Sequence, residues 1–305
     1  MADIGIEVSR YAAALPERSR GVALMACGAL LFAVMGALAK GAAATIPTFE
    51  LVCARSAVTL LAMEVLRRKL AVPLQFRDVP MLASRTVGGF VAISCYFHSL
   101  RFIPLGEAVL LNSMSPVLTS VAAVWLLHEH MTWAKAAGLA VSLGGLWLLL
   151  GGREVGSLQG QGALLGAASA IASSWALISL KKAQGSNRSL LIVWALAAVC
   201  VLGSLLFVDS SWRIPGWYDA ALLLGTGAAA AGAQLLMTSG YRLLEATEAS
   251  VYGFMTPVFA MALGIAWFGE WPSMRAALGG AAIVGAGAGV AWFTGRSAEV
   301  GSVAK

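Results

Sequence analysis

The sequence predicts an all-α membrane protein: ten transmembrane helices in two inverted five-helix repeats, with both termini cytoplasmic. Three observations carry this. Hydrophobic residues fill 59% of the 305 positions and charged residues only 12%, with a mean hydropathy of +0.80, whereas soluble domains carry about 25% charge. Lys and Arg are distributed unequally between alternate connections. One displacement along the chain superimposes its two halves.

A span needs about 20 mainly apolar residues, and such runs lie at roughly 20–43, 48–66, 79–100, 104–127 and 132–151. A second set lies at roughly 160–181, 188–208, 217–240, 246–269 and 273–294. The connections are short, so the chain divides into 1–155, a tail with the first five spans, and 156–305, the second five with a C-terminal tail. Residues 1–20 hold Asp3, Glu7, Arg10, Glu17, Arg18 and Arg20 before any apolar run. That is not the layout of a cleaved signal peptide, so the first helix is expected to remain. Cys27, Cys53, Cys95 and Cys200 all fall in apolar stretches and read as small buried hydrophobes, not as a disulfide set or a metal cluster.

Orientation follows from the excess of Lys and Arg in cytoplasmic loops. With the N-terminus inside, the inner segments hold 14 basic residues, including Arg67, Arg68, Lys69, Arg77, Lys181, Lys182 and Arg242. The outer loops hold five: Lys40, Arg101, Arg153, Arg213 and Arg275. The net charge of +6 does not imply nucleic acid, because the basic residues neither cluster nor interleave with aromatics.

The repeat is explicit around two prolines. Glu107-Ala-Val-Leu-Leu-Asn-Ser-Met114-Ser-Pro116-Val continues to Glu129, and Glu248-Ala-Ser-Val-Tyr-Gly-Phe-Met255-Thr-Pro257-Val continues to Glu270; each matched pair lies 141 positions apart. The same displacement relates Arg101 to Arg242, Lys40 to Lys181 and Gly21 to Gly162. Five spans per repeat is an odd number, so the second copy enters the membrane inverted. In such folds a cargo site lies near mid-membrane between the halves.

The stretch Tyr96-Phe-His-Ser-Leu-Arg101-Phe-Ile-Pro104-Leu-Gly-Glu107-Ala, with Ser115-Pro116 and Leu127-His-Glu129, resembles the third-to-fourth-helix signature of the drug/metabolite transporter superfamily, EamA family. Arg242, Glu248-Ala, Thr256-Pro257 and Glu270 are similar to it again, and Arg55 and Arg85 fall where many members carry arginines. The resemblance covers nearly the whole chain. It implies ten helices with cytoplasmic termini and secondary transport of a small organic solute, and it leaves the cargo open among amino acids, nucleosides, S-adenosylmethionine, drugs and other metabolites.

Arg55 lies about seven residues into the second span, where a guanidinium costs at least about 2.5–3.5 kcal/mol on insertion scales and must face a partner or a wet cavity. It fits either a substrate contact or an anchor for helix ends or Glu50. Arg85, about six residues into the third span, reads as an intramembrane charge able to snorkel to the cytoplasmic side. Glu107 and Glu248 open the fourth and ninth spans; they fit favourable first-turn carboxylates or a pair of gating or proton-coupling acids. Glu129 and Glu270 are expected to be solvated in short loops. Pro116 and Pro257 should each kink a helix and free a carbonyl near mid-membrane, as hinges beside a cavity or for packing alone. Tyr96, His98, Asn112, Trp175, Gln234 and Tyr252 are the further candidate substrate-binding residues, each also explicable as an interhelical bond or interface residue.

No catalytic residue, cofactor or metal site is expected. His128-Glu129-His130 lacks the spacing of a zinc helix, and no Gly-x-Ser-x-Gly turn occurs. The expected function is export or exchange of amino acids or related metabolites across the inner membrane by alternating access, with a small-molecule substrate and membrane lipid as partners and no nucleic acid. The runners-up are an uptake carrier for S-adenosylmethionine or nucleotide-like metabolites, or drug efflux; an intramembrane enzyme comes last.

Overall fold

A computed structural model describes residues 17–115, 117–119, 133–150, 157–209, 211–212, 214–244, 252–253 and 255–303. Those residues form ten α-helices and no strand: α1 (Glu17–Ala43), α2 (Thr48–Lys69), α3 (Val79–Ser99), α4 (Leu105–Asn112), α5 (Trp133–Leu150), α6 (Leu158–Gln184), α7 (Ser189–Leu205), α8 (Trp217–Leu243), α9 (Met255–Phe268) and α10 (Met274–Val303). Segments within α1, α6 and α8 (Ser19–Ala43, Gln159–Gln184 and Trp217–Leu243) are long and apolar enough, taken alone, to cross a membrane.

The helix boundaries follow local chemistry. Pro47 and Pro104 stand at the N-caps of α2 and α4, where a missing N–H costs nothing. Ser157 caps α6 by accepting the Gly160 N–H at 3.0 Å, and the Ser273 hydroxyl accepts the Ala276 N–H at 3.1 Å before α10. Gly269, at φ +64°, occupies the left-handed position that ends α9. The fourth span, expected to kink at Pro116, turns at Ser113–Met114. A proline at 116 has no N–H for the Asn112 carbonyl, which accounts for the helix stopping there.

The most extensive interfaces all join one repeat to the other: α1 with α8, α3 with α6, α5 with α10, α2 with α7, α2 with α8, α1 with α9. Exchanging α1–α5 with α6–α10 returns the same list once α3–α7 and α4–α6 are included. Inversion follows from the helix ends. Gly21, near the start of α1, is pressed against Leu244 at the end of α8, and a Cβ on it would stand 2.6 Å from the Leu244 Cγ. Gly162, near the start of α6, meets Ile103 after α3 in the same way, at 3.0 Å. Gly21 and Gly162, and likewise Ile103 and Leu244, are 141 apart. Thus α6 runs against α3, while Lys40 at the end of α1 bonds the Leu100 and Ile103 carbonyls at the end of α3. So α1 and α3 run the same way, and α6 runs opposite to α1.

Large apolar side chains on the outside, among them Leu61, Val87, Leu164, Ile171, Leu202 and Leu224, are exposed around the bundle. A surface of that kind belongs in hydrocarbon. Of the cysteines only Cys200 is buried; Cys53 and Cys95 are partly covered and Cys27 is exposed. The expectation of four buried cysteines therefore fails at Cys27, because an apolar neighbourhood in sequence includes the lipid-facing side of a helix.

Candidate functional site: a cationic cavity between the repeats

Arg85, Gly89, Ala92 and Tyr96 recur at i, i+4, i+7 and i+11 and put one face of α3 against a central cavity of about 200 Å³. Gln234, Met237 and Tyr241 do the same on α8, Met25, Ala29, Phe32 and Met35 on α1, and Ser173, Ala176 and Leu177 on α6. At on the order of 10–15 Å³ per water position, the space suits a metabolite-sized solute. Six pairs of lining residues are 141 apart: Phe32 with Ser173, Met35 with Ala176, Ile93 with Gln234, Tyr96 with Met237, Asn112 with Gly253, Ser115 with Thr256. The cavity therefore lies on the pseudo-two-fold axis.

Two guanidiniums reach it. Arg55 and Arg85 are 3% and 5% exposed, and the Nε of each is buried without a hydrogen-bond partner. The Arg55 guanidinium lies over the Phe97 ring, 5.7 Å from its centroid. The helix beneath it is fixed by the Thr59 hydroxyl, within 3.0 Å of the Arg55 carbonyl and 3.2 Å of the Gly227 carbonyl on α8. Arg85 folds back over Gly89, where a Cβ would stand 2.7 Å from its Nη1. No acidic residue lines the cavity among the described residues, nor do three His, Cys, Asp or Glu side chains converge to hold a metal ion. Asn112, at the break in the fourth span, donates through Nδ2 to Ser169 Oγ at 2.9 Å and Ser173 Oγ at 3.1 Å.

Arg55, Tyr96, Asn112 and Gln234 of the expected binding residues thus line one cavity, and Arg85 joins them instead of snorkelling. Three do not reach it. The His98 Nδ1 pairs with Thr48 Oγ1 at 2.8 Å and its ring packs edge-on against Phe102. Trp175 is exposed, its indole N–H donating to Ser84 Oγ at 2.8 Å on the outer seam of α3 and α6. Tyr252 packs against the Met25, Tyr241 and Leu244 cluster. Pro257 is buried in the first turn of α9 beside the lining residue Thr256. Pro116, Glu129 and Glu248 lie outside the described residues. Of the residues that single-position reasoning missed, Met237 and Tyr241 were recoverable from helical spacing, three and seven positions after Gln234; Phe97 and the α1 methionines Met25 and Met35 had no such marker on their own helix face.

One end of the bundle is clasped. Lys40 Nζ donates to the Ile103 carbonyl at 2.9 Å and pairs with Glu270 Oε1 at 2.8 Å, while Glu270 Oε2 accepts the Leu105 N–H at 2.9 Å. The expectation that Glu270 is solvated therefore fails: its carboxylate caps α4 across the repeat boundary. Glu107 and Glu270 line a small second pocket at this end. At the opposite end, the Asn187 side chain bonds the Arg77 backbone in both directions, at 2.9 and 2.6 Å, and Arg242 Nη2 donates to the Asn187 carbonyl at 2.6 Å.

Comparisons with known proteins agree with this architecture. The chain is 30% identical over 265 residues to the pseudopaline exporter CntI of Pseudomonas aeruginosa (strain UCBPP-PA14), covering 87% of this chain and 93% of that one. It is 38% identical over 73 residues to a probable terminal-alkyne amino-acid exporter of Streptantibioticus cattleyicolor, 23% of this chain and 24% of that one. A protein of known crystal structure, 23% identical, superimposes with a TM-score of 0.66 over 92% of this chain and 99% of its own, which shows the same fold. The EamA-like transporter family matches twice, at residues 19–151 and 160–292, two stretches that are themselves 141 apart. The chain is a multi-pass membrane transporter of small solutes and not an enzyme. It belongs to the EamA-like transporter family.

Proposed function

We propose that the chain exports small carboxylate-bearing solutes, amino acids or related metabolites, across the inner membrane by alternating access. The observation that carries this reading is the central cavity with two buried guanidiniums and no described acid. A guanidinium presents two parallel N–H donors to a carboxylate, and the same field disfavours a cargo of net positive charge such as S-adenosylmethionine. The residues 1–155 and 156–305 act as the two moving units, and ten spans cross the membrane with both termini cytoplasmic. In support, Arg77 and Arg242 meet at one end with Asn187, the end that the positive-inside rule assigns to the cytoplasm. The Lys40–Glu270 clasp then closes the outer side. Export as the direction is supported by the two exporter relatives. Glu107 and Glu248 serve gating or coupling in this reading.

Flux of labelled amino acids and related metabolites in proteoliposomes tests it. Transport of a carboxylate-bearing solute is expected, lost in Arg55→Ala; Arg55→Lys should lose affinity while keeping its melting temperature. A melting temperature that falls while affinity holds would make Arg55 an anchor for the helices and defeat the assignment.

A further inference from the structure

Arg55 and Arg85 come from different helices and are buried in one cavity, and the Nε of each has no partner. An arginine that anchors helices fills its N–H positions with carbonyls or an acid; the Nε–H of neither arginine is filled in that way. The Arg55 guanidinium carbon lies over the Phe97 ring, 5.7 Å from its centroid. Gly89 keeps room for the Arg85 guanidinium that any side chain would fill. The third unpartnered polar atom of the cavity is the Gln234 Oε1, an acceptor.

In the other repeat the equivalent helices pack without these groups. The positions 141 away from Arg55, Arg85 and Gln234 are Leu196, Thr226 and Ile93, all neutral, in helices that pack equivalently. Among the described residues no acid lines the cavity, so one cargo carboxylate neutralises one guanidinium and leaves the other without an acidic partner there, a costly state. We infer that the cargo carries two anionic groups, that Arg85 receives the second, and that Gln234 takes an N–H or O–H donor of the same molecule. This rests on the central cavity being the cargo site.

The test uses the purified full-length protein in nanodiscs. Dicarboxylates of four to seven carbons, with and without an α-amino group, are titrated against their mono-amides, each differing only in the second charge. The diacid is expected to bind about tenfold or more tightly than its amide. Arg85→Gln should collapse that ratio towards one and Arg85→Lys should lower it. Trp175→Phe, on the outer seam, should keep it. A ratio near one in the unaltered protein, including no binding of either member, overturns the inference, as does an unchanged ratio in a folded Arg85→Gln. If proteoliposomes still carry a monocarboxylate in an Arg55-dependent way while the ratio is one, the transport reading stands and only the second anionic group falls.

Discussion

Replacing Glu270 by glutamine removes one negative charge from the clasp and leaves its shape. In the structure Glu270 accepts from both Lys40 and the Leu105 N–H, and its side chain is 21% exposed. A hydrogen bond to a charged group contributes about 1.5–3 kcal/mol and a neutral one about 1 kcal/mol, so the substitution costs the closed end about 1–2 kcal/mol. The Leu105 N–H can still bond the amide oxygen, and Lys40 keeps its bond to the Ile103 carbonyl. If the open and clasped states are otherwise unaffected, the population open at this end rises by a factor of about 5–30. The assay is the rate at which a membrane-impermeant maleimide labels a single cysteine placed at Val109, a cavity-lining residue, in right-side-out vesicles from a background without the native cysteines. Faster labelling by that factor is expected in Glu270→Gln, with a similar rise in Lys40→Gln. Unchanged rates in both variants, with protein still folded, would refute the idea that this contact holds the outer side shut.

Four other outcomes follow from the same geometry. Gly227→Ala puts a Cβ 2.5 Å from the Val58 Cβ and 2.8 Å from the Arg55 carbonyl; it should destabilise the protein by about 1–3 kcal/mol, read as a lower melting temperature together with weakened cargo affinity. Gly36→Ala meets the Tyr96 hydroxyl at 2.6 Å and should change affinity several-fold, in parallel with Tyr96→Phe, in flux competition. Glu107→Gln should flatten the pH dependence of flux if this carboxylate takes up a proton during the cycle; an unchanged profile would leave it a helix-end charge. Gln234→Leu should shift the apparent affinity measured from one face of oriented proteoliposomes more than from the other, because among the described cavity-lining residues with an unpartnered polar atom (Arg55, Arg85 and Gln234) it alone belongs to the second repeat.

The positions of the helices were legible because apolar length and the 141-residue displacement are both properties of the chain itself. The face each residue occupies was less so. His98 and Trp175 each lie two residues after a cavity-lining residue, Tyr96 and Ser173, which is about 200° around the helix. Polarity at membrane depth identified both, but only angular position tells the cavity from the opposite side. Arg85 failed differently: its distance from the helix end allowed snorkelling, but its helix packs on α6 and α7 and the side chain lines the cavity. The Glu270 clasp was invisible because its partners, Lys40 and Leu105, are 230 and 165 positions away; sequence patterning records only neighbours along one element.

The duplication locates the cavity, and the departures from it set the chemistry. Six lining pairs obey the displacement, so both repeats reach the axis. Yet both guanidiniums belong to the first repeat, and their counterparts Leu196 and Thr226 carry no charge. A symmetric pair of arginines, one per repeat, would pull the halves onto an anion and hold them together through the cycle. With both charges on α2 and α3, the proposed anionic cargo would be gripped by one repeat while the other, which contributes Gln234, Ser173 and Tyr241 to the cavity, would exchange weaker bonds as it rocks. Strong binding then costs no energy of separation when the repeats move apart, which is what a carrier needs if it is to hold its cargo and still turn over.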